Sequence, residues 1–319
     1  MPRRLTNLSL LAQTTGLVGS GVGGWVLPLD VAGPLYPLHR ALAIGLVLAL
    51  AWKAGIARRS LARRLPRGDE SIAVGAVAAL ALVVSLAIGF GWSAGALGPA
   101  SFAGYSALNV HVFAGAALAL IVAAHLALRW EQRPPLGKAL SRRAALRIGA
   151  LGVGALALTP LVDSFEPLRR LTGSKHAGSF TGNDLPVTTW TFDSVPELDV
   201  RSWRLDVAGR SLSYDELITL PRHEVAAVLD CTSGWWSEQR WSGVRLGDVL
   251  PDAAAAEVRV VSVTGHAWTF PSEEANGMLL ATHLGGETLS AAHGYPVRLV
   301  APGRRGFQWV KWVSRIETY

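Results

Sequence analysis

The chain of 319 residues contains a single cysteine, Cys231. One thiol excludes an intramolecular disulfide framework, and it also excludes the paired-cysteine spacing of zinc and iron–sulfur sites. Cys231 follows residues 225–229, an apolar run with the composition of a buried strand. Two interpretations remain open at this point. Cys231 is a buried structural residue, or its thiolate is the one protein ligand of a soft metal whose other ligands belong to a bound molecule.

Charged residues are scarce, at 17% of the chain, and in the N-terminal half they are gathered in short clusters. Between the clusters lie five apolar segments that are long enough, or nearly so, to cross a bilayer: residues 8–27, 41–56, 72–92, 107–128 and 146–162. Beyond residue 163 the composition becomes that of an ordinary soluble domain. We therefore predict an α-helical transmembrane bundle of about five spans (residues 1–162), a polar linker (163–178) and an α+β domain (179–319).

Lysine and arginine are absent from residues 28–38 and 93–109, the loops after the first and third apolar segments. The opposite loops and helix ends carry Arg3, Arg4, Lys53, Arg58, Arg59, Arg63, Arg64, Arg67, Arg129, Arg133, Lys138, Arg142, Arg143 and Arg147. Because cytoplasmic loops are enriched in basic residues, this alternation predicts a cytoplasmic N-terminus and an extracytoplasmic C-terminal domain. The net charge of +7 thus reflects contact with membrane lipid, and we expect no nucleic-acid partner.

The pair Arg142-Arg143 stands before the fifth apolar segment, which is rich in Gly and Ala and only weakly hydrophobic. This arrangement resembles a twin-arginine export signal, here in an internal position. The alternative is an ordinary basic flank that orients the helix. Both interpretations place the C-terminal domain on the same side of the membrane.

Three histidines, His39, His111 and His125, lie in or beside the apolar segments. Ionisable groups in a bilayer are costly, so they indicate function, although histidines hydrated at the membrane surface are the alternative. His111 and His125 are fourteen residues apart, about 21 Å along one helix face, which is the spacing of two stacked haems in b-type cytochromes. The second segment has Lys53 at the position fourteen residues after His39, so a second pair is incomplete.

The second and fourth segments run in the same direction, because two crossings separate them. His39 and His111 both lie near the outer ends of these segments and can meet at one depth. We therefore predict one haem b bound between His39 and His111. Three roles stay open for His125: a hydrogen-bonding group, a quinone-binding group, or a relic of a second haem site.

In the C-terminal part, alternation and turn residues predict strands at 203–207, 225–230, 258–263, 297–301 and 309–316. Short helices are predicted at 214–220 and 246–250. Five stretches in this part follow a recognisable order: GNDLPV (182–187), WRLDVAG (203–209), Cys231 with WSGVRL (241–246), HGYPVRLVAPG (293–303) and GFQWVKWVSRI (306–316). Their order and spacing resemble the molybdopterin-dependent sulfite oxidase family.

The resemblance implies that Cys231 binds molybdenum, with a pterin dithiolene and oxo groups completing the metal's coordination. It also implies that His293, Arg298 and Lys311 bind the pterin and its phosphate, which favours guanidinium and ammonium groups. Further candidates for cofactor binding are Arg304, Arg305, Trp309 and Val310, which flank that site, and Asn183, which lies in the segment that covers the cofactor in relatives.

The chain departs from sulfite oxidases at positions that carry charge. Those enzymes have Arg-Asn-His where this chain has Gly182-Asn183-Asp184, and an Arg after the cysteine where this chain has Trp235 and Trp236. Their active-site tyrosine corresponds to His266. Because a sulfite dianion requires the missing guanidinium groups, we expect a neutral S-oxide or N-oxide substrate, with His266 or Asp184 as the proton donor.

These observations predict a membrane-bound molybdenum oxidoreductase. Electrons would pass between the membrane quinone pool, the haem b and an extracytoplasmic oxo substrate, either a small molecule or a protein-borne group. Reduction of the substrate is the preferred direction. Two alternatives remain: a dehydrogenase for sulfite or another small sulfur compound, and a haem electron-transfer module that has lost its molybdenum.

Overall fold

The structure is a computed structural model that describes residues 3–64, 66, 71–98, 101–102, 105–127, 142–189, 193–251 and 255–319. The basic residues Arg67, Arg129, Arg133 and Lys138 of the predicted cytoplasmic loops lie outside these residues. The chain forms two compact units, Met1–Gly173 and Ser174–Tyr319.

The N-terminal unit is helical. Its elements are α1 (Arg3–Val26), α2 (Leu29–Ala32), α3 (Leu35–Arg64), α4 (Ser71–Ser93), the short strands β1 (Ser101–Phe102) and β2 (Tyr105–Ser106), α5 (Ala107–Ala127) and α6 (Arg142–Asp163). Helix α3 packs against both α1 and α6, and α4 packs against α5. His39 therefore lies on the central helix of one group, while His111 and His125 lie on the helix that pairs with α4.

Within the described residues, four helices are long and apolar enough to cross a membrane: Leu29–Arg59, Ile72–Ser93, Ala107–His125 and Ala145–Asp163. The prediction of about five spans is thus not confirmed. Helix α1 covers the first predicted segment, but polar residues such as Thr6, Asn7 and Gln13 reduce its apolar character. The four apolar helices are consistent with a membrane anchor in the N-terminal unit.

The C-terminal unit contains two sheets. The first has the order β11-β10-β7-β3, with β12 also paired to β10 and β6 also paired to β7. Its strands are β3 (Lys175–His176), β6 (His223–Asp230), β7 (Trp235–Arg245), β10 (Leu279–Leu284), β11 (Glu287–Thr288) and β12 (Arg298–Val300). The second sheet has the order β5-β4-β13-β8-β9. Its strands are β4 (Arg204–Val207), β5 (Arg210–Ser213), β8 (Glu257–Ser262), β9 (Ala267–Pro271) and β13 (Val313–Thr318).

Two short helices follow strands of this unit, α7 (Tyr214–Thr219) after β5 and α8 (Leu246–Val249) after β7. Helix α7 begins with a capping box, in which Ser213 and Glu216 satisfy each other's backbone amides. Both helices and all five predicted strands are present, with small shifts at their ends. The largest shift is at β13, which begins at Val313 rather than at residue 309, because residues 306–308 form a 3-10 turn and Trp312 has a φ of 51°.

Apolar residues of both sheets form one buried core, with Leu205 and Ile316 from the second sheet and Trp241, Leu280 and Leu299 from the first among its fully buried members. Cys231 belongs to this core cluster. The thiol therefore lies where the strand β6 leaves a rigid, close-packed interior. Such a position fixes the location of a ligand atom more firmly than a surface loop does.

Candidate functional site

Cys231 is the first residue after β6 and begins a tight turn that leads into β7. Its N–H donates to the Trp235 carbonyl (2.8 Å), and its own carbonyl accepts from Gly234 N–H (3.0 Å). The Ser233 N–H points to the Cys231 Sγ at 3.5 Å. The thiol is buried, with 8% of the residue exposed. A backbone N–H is therefore aimed at the sulfur, the atom with which a cysteine binds a metal.

Two distant chain segments hold this turn in place. The Arg305 Nη1 donates to Asp230 Oδ1 (2.9 Å), and the Ser174 Oγ donates to the same oxygen (2.6 Å). All three residues are buried, and Ser174 Oγ also lies 3.4 Å from the Cys231 carbonyl. The guanidinium of Arg305, predicted to flank the cofactor, is therefore paired with the carboxylate next to Cys231. Arg304 likewise forms an ion pair, with Glu274.

Two cations lie near the thiol. The Arg298 guanidinium is buried between the indole rings of Trp241 and Trp309, at 5.2 and 5.7 Å from the ring centroids. Its Nη1 donates to the His293 carbonyl (3.2 Å), whereas its buried Nε has no hydrogen-bond partner. Burial lowers the pKa of Arg298 to about 10, and the neighbouring Cys231 opposes this change. The position of β12 thus places a positive charge beside the sulfur.

Lys311 is the second of these cations. Its Nζ donates to the carbonyls of Ala292 (2.7 Å) and Thr188 (2.9 Å). Burial lowers the pKa of the Lys311 ammonium to about 7, and repulsion by Arg298 contributes, whereas Cys231 acts in the opposite direction. Two buried cations that repel each other are stabilised by an anionic group, and a thiolate alone supplies one negative charge.

His293 and Asn183 connect the segment around residues 182–185 to residues 288–293. The His293 Nε2–H donates to the Leu185 carbonyl (2.9 Å), and its Nδ1 accepts from Ser290 Oγ (2.8 Å). Burial lowers the pKa of His293 to about 4, with a further contribution from Arg298, so the imidazole is neutral at pH 7. Asn183 donates to the Thr288 carbonyl (2.9 Å) and accepts from Ser290 N–H (3.0 Å).

The remaining predicted site residues occupy different environments. Trp309 is buried and donates from Nε1 to the Arg304 carbonyl (3.1 Å), while Val310 is fully buried and its carbonyl accepts from Leu299 N–H. The His266 Nε2–H donates to the Phe307 carbonyl (2.7 Å), next to the turn that contacts Cys231. Asp184 is exposed, in the 3-10 turn Gly182–Asp184.

The two tryptophans after Cys231 point in different directions, as expected for neighbours on a strand. Trp235 is buried, and its Nε1 donates to Thr188 Oγ1 (3.1 Å). Trp236 packs against the ring of His176, with 4.5 Å between ring centroids. The structure therefore places one indole in the core and the other against β3.

Sequence reasoning missed Ser174, Asp230 and Gln239. The Gln239 amide is fully buried, accepts from Gly182 N–H (3.1 Å) and donates to Thr181 Oγ1 and Ser237 Oγ. These hydrogen bonds attach the turn that contains Asn183 to strand β7. A strand over 235–245 places Gln239 on the same face as Trp235 and Trp241, but the apolar residues of this segment do not alternate, so no sequence pattern indicated this position.

A family model described as the oxidoreductase molybdopterin binding domain matches residues 192–319. The mitochondrial sulfite oxidase of Mus musculus is 34% identical over 178 residues, which cover 43% of this chain and 31% of that protein. The C-terminal unit is a sulfite-oxidase-like molybdopterin-binding oxidoreductase domain. The chain spans about a third of the length of this curated relative.

Two further proteins resemble this molybdopterin-binding domain. The uncharacterized oxidoreductase YuiH of Bacillus subtilis (strain 168) is 30% identical over 131 residues, which cover 37% of this chain and 66% of that protein. The solved structure of the sulfane dehydrogenase SoxCD from Paracoccus pantotrophus is 26% identical, with a TM-score of 0.36, and covers 39% of this chain and 40% of that one.

The residues around Cys231 fit a molybdopterin. The thiol provides one soft ligand, and Arg298 and Lys311 provide the positive charge that a phosphate dianion requires. The buried Nε atoms of Arg298 and Arg305 have no hydrogen-bond partner in the described structure. An unsatisfied buried donor is costly, so a bound acceptor group near Arg298 would stabilise the domain.

Gly306 packs directly against the Cys231 turn, so a substitution at this position tests whether the turn positions Cys231. A Cβ at Gly306 would lie 3.0 Å from Cys231 Cα and 3.1 Å from the Asp230 carbonyl oxygen, both of which are backbone atoms. We expect Gly306→Ala to displace the turn, to lower stability by about 1–3 kcal/mol, and to remove most of the bound molybdenum. Metal analysis by mass spectrometry and thermal unfolding measure these effects.

Gly277→Ala is the matched control, because a Cβ at Gly277 meets no atom within 4 Å and the residue has no positive φ. It should retain both the molybdenum and the melting temperature of the unaltered chain. Full molybdenum content in Gly306→Ala would show that the turn tolerates displacement and that the contact does not position Cys231.

The N-terminal unit brings together two of its predicted ligands. The ring centroids of His39 and His111 are 6.1 Å apart, and the ring planes are nearly perpendicular. The His39 Nδ1 lies 3.0 Å from Ser20 Oγ, and the His111 Nδ1 lies 2.9 Å from the Ser85 carbonyl oxygen. Because both Nδ1 atoms are engaged, each ring has its Nε2 left to bind a metal.

The separation of the two rings is also the one that a shared metal requires. Two metal–imidazole bonds of about 2.0–2.1 Å, together with the two ring radii, give centroids roughly 6 Å apart. His125 lies at the other end of α5, where its Cε1 is 3.7 Å from a Cβ built at Gly75 of α4. The geometry therefore pairs His39 with His111 and places His125 against α4.

Proposed function

We propose that the chain is a membrane-anchored molybdenum oxidoreductase. In this proposal, electrons pass between the quinone pool, a haem b held by His39 and His111, and a molybdopterin bound through Cys231. The observation that carries the proposal is the combination of two sites in one chain: a buried thiol beside two cations, and two imidazoles that face each other at 6.1 Å.

Bound molybdopterin supplies oxo-transfer chemistry, in which the metal changes its oxidation state by two electrons. The protein's own residues hold and shield it. Cys231 provides the thiolate, and Arg298 and Lys311 offset the charge of the phosphate. The indoles of Trp241 and Trp309 cover the Arg298 guanidinium and keep water from it, so its attraction for an anion is stronger than at the surface.

The haem would link this two-electron chemistry to the membrane. His39 and His111 would hold the haem, which would supply one-electron transfer between a quinol and the molybdopterin-binding domain. The basic residues that begin α6, Arg142 and Arg143, support an orientation in which the start of α6 is cytoplasmic and the molybdopterin-binding domain, which follows this helix, is extracytoplasmic. His125, at the end of α5, is the candidate for contact with the quinone headgroup.

For the substrate, we propose a neutral S-oxide or N-oxide that is reduced. Two cations next to the Cys231 turn have carboxylate partners already, because Arg305 is paired with Asp230 and Arg304 with Glu274, and Arg298 is assigned to the phosphate of the cofactor. A sulfite dianion would need an uncommitted guanidinium. His266 lies beside the turn 306–308, and Asp184 is exposed in the turn that carries Asn183. These two residues are the proposed proton donors.

A second candidate is the oxidation of sulfite or of another small sulfur compound, with electrons flowing from the molybdenum to the haem. The 34% identity to a mitochondrial sulfite oxidase favours it. A third candidate is a haem-only electron carrier, in which the molybdopterin-binding domain is empty. Stoichiometric molybdenum in the purified chain would exclude the third candidate.

The change in the oxidation state of the haem on addition of a substrate reports the direction of electron flow. The purified chain in detergent is reduced with dithionite, excess reductant is removed, and methionine sulfoxide, dimethyl sulfoxide or trimethylamine N-oxide is added. We expect one of these to reoxidise the haem within a single turnover. Reduction of the oxidised haem by sulfite, without reoxidation by any of the oxides, would instead establish the second candidate.

A further inference from the structure

The two imidazoles of the proposed haem site differ in what their Nδ1 atoms contact. His111 faces a backbone carbonyl, that of Ser85 in α4. His39 faces the hydroxyl of Ser20 in α1, in addition to a backbone hydrogen bond with Leu17 of the same helix. Ser20 is buried, with 4% of the residue exposed, so water does not compete for this contact. Helix α1 thereby contributes to a site whose two ligands lie on other helices.

The direction of the hydrogen bonds follows from their other partners. A hydroxyl has one proton, and Ser20 Oγ donates it to the Gly16 carbonyl (2.6 Å). The Ser20 oxygen must then accept from His39, which assigns the proton of that ring to Nδ1. The Ser85 carbonyl can only accept, which assigns the His111 proton to Nδ1 as well. Both Nε2 atoms therefore carry a lone pair, as ligands of one iron must.

The helices leave space for these rings at two glycines. A Cβ at Gly21, the residue after Ser20, would lie 3.3 Å from His39 Cε1. A Cβ at Gly89 would lie 3.0 Å from His111 Cε1. Each ring is thus confined between a hydrogen-bond acceptor and a close backbone surface. This arrangement restricts the ring orientation before any metal is bound.

We infer that Ser20 is a positioning residue that sets the redox potential of the haem through His39. An acceptor on the Nδ1–H of a ligating imidazole increases the basicity of the Nε2 and stabilises the more oxidised metal. The Ser20 hydroxyl therefore keeps the haem potential lower than it would be without the contact. The inference rests on the proposed haem between His39 and His111, and it adds a residue from a helix that supplies no ligand.

Three variants of the full chain test this role: Ser20→Ala, Ser20→Thr and Ser9→Ala. Ser9 is a matched control, because it lies on the same helix and its hydroxyl accepts from Gln13 rather than from a histidine. Redox titration of the haem absorption gives the midpoint potential, and electron paramagnetic resonance of the oxidised haem reports the ligand field. We expect Ser20→Ala to retain haem with an upward shift in potential and altered g values. Ser20→Thr, which keeps the hydroxyl, and Ser9→Ala should both match the unaltered chain.

The possible outcomes separate this inference from the proposed haem. Haem with an unchanged potential in Ser20→Ala overturns the inference and leaves the haem proposal standing. The same shift in Ser20→Thr as in Ser20→Ala also overturns it, because the hydroxyl would then be irrelevant. Loss of haem from Ser20→Ala overturns the inference about the potential, because the hydroxyl would then act on haem binding or folding instead. An unaltered chain without a bis-imidazole haem spectrum overturns both.

Discussion

Replacing Cys231 with serine should reduce substrate turnover to background and remove the molybdenum, while the haem absorption stays unchanged. The serine oxygen is a hard, weakly acidic donor, whereas a cysteine sulfur is a soft donor that binds a metal as the thiolate. Ser233 N–H, Arg298 and Lys311 all lie where they stabilise a negative charge on sulfur. The substitution would therefore remove the proposed protein bond to the metal without changing the size of the side chain much.

The measurements are metal analysis, the haem spectrum and turnover with the oxide that reoxidises the haem. Asp248→Asn is a suitable control, because it alters an exposed pair with His223 in the same domain. It should retain molybdenum and turnover. A Cys231→Ser variant with full molybdenum content and full turnover would refute the assignment of Cys231 as the metal ligand, and the interpretation of a buried structural cysteine would replace it.

Several features of the site could be predicted from local patterns. The apolar run 225–229 lies within β6, and Cys231 comes directly after that strand, where the sequence pattern placed it. The approach of His39 to His111 followed from counting membrane crossings, because helices separated by two crossings run in the same direction. The first prediction depends on local periodicity, and the second depends on the number of apolar segments that separate the two histidines.

The contacts that hold Cys231 in place could not be predicted in the same way. Asp230 receives its hydrogen bonds from Ser174 and Arg305, which are 56 and 75 residues away in sequence. From the sequence, Arg305 was predicted to bind the cofactor. Its carboxylate partner, Asp230, becomes evident only when the distant segments pair in the fold. Strand β7 was missed for a related reason: its sequence, with three tryptophans, a glycine and several polar residues, resembles a loop until β6 and β10 pair with it.

Replacing His111 with alanine should abolish the b-type haem absorption while the molybdenum content remains unchanged. His111 is one of the two imidazoles of the proposed haem site, and its loss would leave the iron with His39 as its single protein ligand. His125→Ala is the matched control, because it removes a histidine from the same helix, fourteen residues away and against α4 rather than against His39. That variant should keep the haem spectrum of the unaltered chain.

The His111→Ala and His125→Ala variants also distinguish the roles proposed for His125. A normal haem spectrum in His125→Ala, together with slower reduction of the haem by an added quinol, would place His125 at the quinone. Loss of one of two haem signals in His125→Ala would instead show a second haem, in agreement with the fourteen-residue spacing to His111. A normal spectrum in His111→Ala would contradict the ligand pair, because the 6.1 Å separation of the rings would then have no metal to explain it.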